Sequence, residues 1–301
     1  IVPSFTYVAS AEVIALLGLT PVMVDVDDST FNLTADNLEK AFSSKTRAII
    51  PVHLFGQCCD MYPILDFAQR HNLYVIEDNA QAIGAEYTFP DGLKAKTGTM
   101  GTIGCTSFFP SKNLGCFGDG GALFTNDEIL AAKIRAIANH GQRVKYHHSV
   151  IGCNSRLDSI QAAILNVKLK HIDSYCEARQ MAASYYNAKL SAFDPEEKYL
   201  ILPKVGHFST HVYHQYTLRI KNGKRDELRS YLQEQGIPTM VYYPLPLQEQ
   251  EAFMHVAVTS GSLDNAKDCA NTVLSLPMHT ELSSQMQDKV IDGIISYFSS
   301  K

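Results

Sequence analysis

At 301 residues, with 46% hydrophobic and 19% charged side chains, the chain holds enough apolar material for one large domain or two modest ones. A net charge of −5 and a pI near 6.1 exclude a general electrostatic grip on nucleic acid. No uninterrupted apolar run reaches membrane-spanning length and no signal peptide is visible; seven cysteines without a paired C-x-x-C pattern read as reduced thiols of a cytoplasmic protein.

Residues 1–11 read as a strand end followed by the first turn of a helix, which continues with apolar spacing through Leu17 and stops at Gly18. Residues 21–26 predict a strand, and Thr34 or Asp36 is placed to cap the helix that follows. Residues 47–53 and 73–78 are buried-type strands flanking an amphipathic helix that ends near His71. Strands alternating with helices at these intervals imply a largely parallel sheet covered on both faces, with active groups at the carboxyl ends of its strands.

Residues 86–101 read as an irregular excursion or hairpin, and residues 118–121 as a glycine turn into a short strand. Asp127 starts a helix that reaches about His140, and a basic loop follows over residues 141–148. Its adjacent His147 and His148 lack a carboxylate or third imidazole at helical spacing, so they do not make a metal site. Past Asn154 the chain turns helical to Leu169, with a further helix over 175–190. Strands over 200–203 and 213–220, a helix over 224–235, a strand from about 238 and two closing helices from about 263 and 283 complete it. The change of pattern places a domain boundary near residue 170, giving a large domain over 1–170 and a small α+β domain over 171–301.

The stretch from Thr106 to Ala122 carries the chemistry. Lys112 sits between an aromatic, β-favouring run and the turn Gly118-Asp119-Gly120-Gly121, while Glu77-Asp78-Asn79-Ala80-Gln81 ends another predicted strand. A lysine amine can capture an aldehyde cofactor such as pyridoxal phosphate (PLP), and a carboxylate can hold the pyridinium nitrogen protonated. Lysines beside glycines are common, so this pairing alone leaves a surface lysine and a capping aspartate as alternatives.

The wording of these blocks resembles the DegT/DnrJ/EryC1/StrS family of PLP-dependent nucleotide-sugar aminotransferases. The likeness runs in order through Val2–Ala11, His53–Gln57, Glu77–Gln81, Thr106–Ala122, Gly152–Asp158, Tyr242–Leu247 and Leu274–His279. It implies an α/β fold of the aspartate aminotransferase type (PLP-dependent transferase fold type I) and a homodimer whose active sites lie between subunits. It makes Lys112 the Schiff-base lysine and proton shuttle, Asp78 the partner of the ring nitrogen, and Gln81 a contact to the ring or its phenolic oxygen. Tyr7 packs on the ring face, Ser107 is a phosphate ligand, and Asn154 reaches the phosphate from the partner subunit. Arg156 offers substrate carboxylate or phosphate oxygens a guanidinium fork and Tyr243 lies in a loop bordering the sugar pocket, with Arg156 alternatively pairing with Asp158 or a neighbouring helix; His53 and His214 either line the pocket or satisfy buried backbone groups. In the family a long segment with a Gly-Thr loop for the cofactor phosphate precedes the equivalent of Ile1, so the resemblance implies either that this chain is a fragment or part of the protein is not represented, or, for a protein that lacks the segment, a loss of cofactor affinity. The activity implied is transfer of an amino group from glutamate to a nucleotide-linked keto-sugar, with the wording around Ser107, Tyr146–His148 and Asn154–Arg156 closest to members that aminate C3 of UDP-linked sugars for surface polysaccharides. Two alternatives stay open: a sugar dehydratase, whose family members carry histidine in place of Lys112, and a non-catalytic regulatory or scaffold homologue.

Overall fold

A computed structural model describes residues 1–300. The alternating apolar runs of the first third form a parallel sheet. Val2–Pro3 lies beside Val22–Val24, and Ala48–Ile49 beside Tyr74–Asp78, which in turn pairs with Ile103–Ser107. The two halves join where the Ile1 N-terminus donates to the Ala48 carbonyl at 2.9 Å and Ile50 N donates to the Ile1 carbonyl at 2.9 Å. Gly121–Phe124 closes one edge antiparallel to Ile103–Ser107, and Val258–Thr259 returns from the far end of the chain to pair with Val22–Val24.

The strand expected over 47–53 is regular only at Ala48–Ile49. Pro51 has no N–H to offer a ladder, yet pairing resumes around it, since Asp78 N donates to the Pro51 carbonyl and His53 N to the Asp78 carbonyl. Asp78 is thereby held on both sides of its own peptide unit at the end of its strand. The helix Met61–Arg70 buries Met61, Ile64 and Phe67 against Ile49 and Val75. Thr34 precedes Ala35–Ala41 and donates its backbone N–H to Asn37 Oδ1 at 3.1 Å. Asp127 caps Glu128–Ala138 by accepting from Ile129 N and Leu130 N.

The last third packs an antiparallel sheet of Leu200–Ile201, Tyr216–Ile220 and Val273–Leu276 against the helices Ile172–Phe193, Arg225–Glu234 and Ser284–Ser299. Tyr216–Ile220 is buried along its whole length, and Tyr186, Leu218, Leu274 and Ile294 meet in the core beneath it. The strand expected from 213 starts only at Tyr216, because Tyr213 has φ +43° and breaks the extended run. The strand expected from about 238 reduces to a bridge between Met240 and Ser275. The helix expected from about 263 is Asp264–Thr272, and the strand Val273–Leu276 follows it, its pairing with Tyr216–Arg219 burying all four residues. No helix among the described residues is long and apolar enough to cross a membrane.

Candidate active site

Asp78 ends its strand with both carboxylate oxygens engaged. Oδ1 accepts from Ala80 N at 3.1 Å, and Oδ2 accepts from the Ser10 hydroxyl at 2.7 Å. Ser10 lies on the helix Ala9–Leu16, so the first helix and the carboxyl end of the sheet are tied at this point. The register sets Asp78 opposite Cys105, and Ser107 ends that neighbouring strand two residues further on. Ser107 Oγ accepts from Phe109 N at 3.2 Å, which leaves its hydroxyl proton free to be donated elsewhere.

Lys112 follows in the loop Phe108–Gly120, whose ends are closed by Phe108 N donating to the Gly120 carbonyl and Cys116 N to the Phe108 carbonyl. Burial pushes the Lys112 amine below the usual lysine range, and the Asp78 carboxylate only partly opposes this. A lysine so placed holds more neutral amine near neutral pH than a surface lysine does.

Gln81 stands between two other parts of the site. Its Oε1 accepts from Phe55 N at 2.6 Å, and its Nε2 donates to the Tyr243 hydroxyl at 3.3 Å. Phe55 has φ +58° and is followed by Gly56 at φ +107°. This strained turn points the Phe55 N–H at the glutamine. The Tyr243 ring lies 6.0 Å from the half-exposed Tyr7 and 6.2 Å from Phe5, centroid to centroid. Burial pushes the Tyr243 hydroxyl above its usual range, with Asp78 adding to the rise, so it remains a neutral donor.

One cluster therefore unites Tyr7, Asp78, Gln81, Lys112 and Tyr243, with Ser107 at the adjoining strand end. Asn154 and Arg156 stand apart from it. Both are exposed, Arg156 Nε donates to Asn154 Oδ1 at 2.9 Å, and Arg156 lines a groove of about 930 Å³ along Gly121–Phe124. Pairing of Arg156 with Asp158 is not what the structure has; Asn154, two residues away, is its partner.

His53 serves the buried backbone. Its Nδ1 accepts from Cys59 N at 3.1 Å, which assigns the proton to Nε2, and Nε2 donates to Glu77 Oε2 at 2.9 Å; both side chains are fully buried. Glu77 also accepts from Gly98 N, Met100 N and Gly101 N, at 2.7, 2.7 and 2.5 Å. Burial works to raise the Glu77 carboxyl, but the hydrogen bond from His53 and those from the N–H groups of Gly101 and Gly98 outweigh it, leaving it below the usual carboxylate range. A depressed folded-state value gives stability that is present above the unfolded value and lost as pH falls through the folded one. Glu77→Gln is expected to destabilise the fold by about 3 kcal/mol at neutral pH and to flatten the acid limb of a Tm-against-pH series. An unchanged acid limb would show that Glu77 carries no such linkage.

Two contributors escape a reading of the sequence alone. Ser10 lies 68 residues from Asp78, and Asn113 is simply the residue after the lysine. Only the small-residue run Ala9-Ser10-Ala11, open to close helix packing, hints at the first.

Comparisons with known proteins bear on the family and the fold. The model of the DegT/DnrJ/EryC1/StrS aminotransferase family matches residues 1–295. A "pleiotropic regulatory protein" of Geobacillus stearothermophilus is 47% identical over 298 residues, covering 99% of this chain and 78% of that protein. The UDP-2-acetamido-2-deoxy-3-oxo-D-glucuronate aminotransferase of Pseudomonas aeruginosa is 46% identical over 285 residues, covering 94% of this chain and 75% of its own. The crystal structure of an aminotransferase of the same family from Brucella abortus superposes with a TM-score of 0.91 at 41% identity, covering 100% of this chain and 79% of that one.

Proposed function

This chain belongs to the DegT/DnrJ/EryC1/StrS aminotransferase family, and on that premise we propose that it is a PLP-dependent aminotransferase transferring an amino group from glutamate to a nucleotide-linked keto-sugar. The observation that carries the reading is the Lys112 amine, desolvated and facing an Asp78 carboxylate that Ser10 and Ala80 hold in place. These residues suit the cofactor: an amine kept partly neutral, a fixed carboxylate, an aromatic face at Tyr7 and a hydroxyl at Ser107 with its proton to spare. Bound PLP would supply an electron-accepting ring. Lys112 would anchor it and move a proton to and from the substrate carbon, Asp78 would hold the ring nitrogen protonated, and Gln81 would orient the ring.

The Pseudomonas relative's name favours a UDP-linked 3-keto-sugar as acceptor, within amino-sugar synthesis for a surface polysaccharide. Tyr243 is the group of this chain best placed to meet a sugar hydroxyl, since its phenol is neutral and oriented by Gln81. Incubation with PLP, glutamate and a panel of UDP- and dTDP-linked keto-sugars is expected to give a mass-resolved amino-sugar product with a UDP-linked 3-keto acceptor. Absence of product from every acceptor in the panel would reject the activity. The regulatory reading draws on the name of the Geobacillus relative, and this assay decides against it if product forms.

Asn154 and Arg156 find their role in a homodimer with shared sites. Phe117 and Ile160, 77% and 74% exposed, lie on one surface, since Phe117 N donates to Gln161 Oε1 at 2.8 Å; the equally bare Ile151 and Tyr146 come from the neighbouring loop. So much uncovered apolar area beside two exposed polar groups that pair with each other, apart from the cluster around Asp78, suits a second copy. Lys112→Ala and Asn154→Ala subunits, each inactive alone, are expected to regain about a quarter of the wild-type sites when unfolded and refolded together. No recovery would place Asn154 outside the partner's site.

A further inference from the structure

The side chain that follows Lys112 points away from the cluster and into the protein. Asn113 is 6% exposed, and its Nδ2 donates to the Val212 carbonyl at 3.0 Å. A carbonyl oxygen can only accept, so this contact fixes the orientation of the amide and leaves Oδ1 facing Nδ1 of His214, 3.4 Å away. Oδ1 in turn can only accept, which puts the ring proton of His214 on Nδ1. His214 is itself buried, and burial with the nearby positive charges of Lys112 and Arg179 pushes its imidazole well below the usual range, so the ring is neutral.

The strip that carries these partners is fixed from two further sides. Val212 N donates to the Gly56 carbonyl and Gln215 N to the Phe55 carbonyl, while Arg179 Nη1 donates to the carbonyls of Tyr213 and His214 at 2.9 and 3.3 Å. The approach is close enough that a Cβ on Gly56 would lie 2.9 Å from the backbone nitrogens of both Tyr213 and His214. Phe55, on the same turn, donates its N–H to Gln81. Through one amide, then, the backbone of Lys112 is tied to a rigid strip that also sets Gln81.

We infer that Asn113 and His214 are positioning residues for Lys112, an amide–imidazole pair that holds the lysine's backbone against the 211–215 strip and so keeps the amine in its desolvated place before Asp78. The inference rests on the role proposed for Lys112. The charged and titratable groups around the amine are Asp78 from the strand Tyr74–Asp78 and His214 from the strip, with Arg179 of the helix Ile172–Phe193 behind the imidazole. Asp78 favours the ammonium and desolvation opposes it. Releasing the loop lets water reach the amine, which weakens the stronger of the two and moves its titration upward.

The test reads the amine in cofactor-free protein, by the pH dependence of Lys112 acylation with an amine-selective reagent, resolved by peptide mass spectrometry. Asn113→Ala and His214→Leu are expected to shift the labelling midpoint up by about one unit, a tenfold fall in neutral amine well below the midpoint. His214→Asn, whose Nδ2 can stand where Nδ1–H stood, is expected to keep the wild-type profile. A folded Asn113→Ala with the wild-type midpoint overturns the inference, as does His214→Asn shifting as far as His214→Leu. Should Asn113→Ala not fold, Asn113→Ser, which cannot span both contacts, decides in its place by the same readout. Addition of PLP to the wild type separates the two levels. With no visible lysine-linked band, the proposed function fails and takes this inference with it; with a band but no shift in the Asn113 variant, the inference alone fails.

Discussion

Lys112→Ala is expected to lower amino transfer by at least about 10⁴-fold, because one substitution removes both the covalent anchor and the proton carrier. The fold should survive it. Lys112 makes no hydrogen bond through its amine among the described residues, and its loop is closed by backbone contacts of Phe108, Cys116 and Gly120. Burial costs the wild-type ammonium free energy, so the alanine variant is expected to melt no lower than the wild type. Stopped-flow or product assays beside a melting curve check both halves. A variant that keeps turnover within tenfold would remove Lys112 from the mechanism; one that is inactive because it is unfolded would leave the melting curve to say so.

Asp78→Asn is expected to reduce turnover by about 10²–10³-fold, the scale on which loss of one preorganised charged group is felt. The amide is nearly the shape of the carboxylate, so contacts to Ser10 and Ala80 can largely persist; what disappears is the negative charge that would keep a ring nitrogen protonated. Asp78→Glu keeps the charge but moves it by a methylene out of the Ser10 contact, so it should fall between wild type and Asn. If Asn and wild type turn over equally, the carboxylate serves only to hold the first helix against the sheet.

Much of this was legible in the residues. Val75, Ile76 and their neighbours form strands because unbroken apolar runs between amphipathic helices have few other homes, and the ends of those strands mark where Asp78 and Ser107 fall. The pairing of an amine with an acid near strand ends left Lys112 and Asp78 as one reading among several, and it was the family wording around them that singled them out. Contacts formed across long stretches of chain were not legible. Ser10 on Asp78 and Asn113 on Val212 are set by how elements dock, and no local pattern encodes docking. Val273–Leu276 went unassigned for the same reason: only pairing with the edge of Tyr216–Ile220 turns those four residues into a strand. Asn154 and Arg156 mark another limit: the fold keeps both exposed and pairs them with each other rather than bringing them to the cluster around Asp78.

The most direct measurement is the visible absorption spectrum of the protein with PLP, before and after addition of glutamate. A lysine-linked band that forms with the wild type, is absent in Lys112→Ala and gives way to the amine form of the cofactor on adding glutamate is the predicted result. A band that forms equally well in Lys112→Ala, or none in the folded wild type, would contradict the assignment of Lys112 and with it the proposed chemistry.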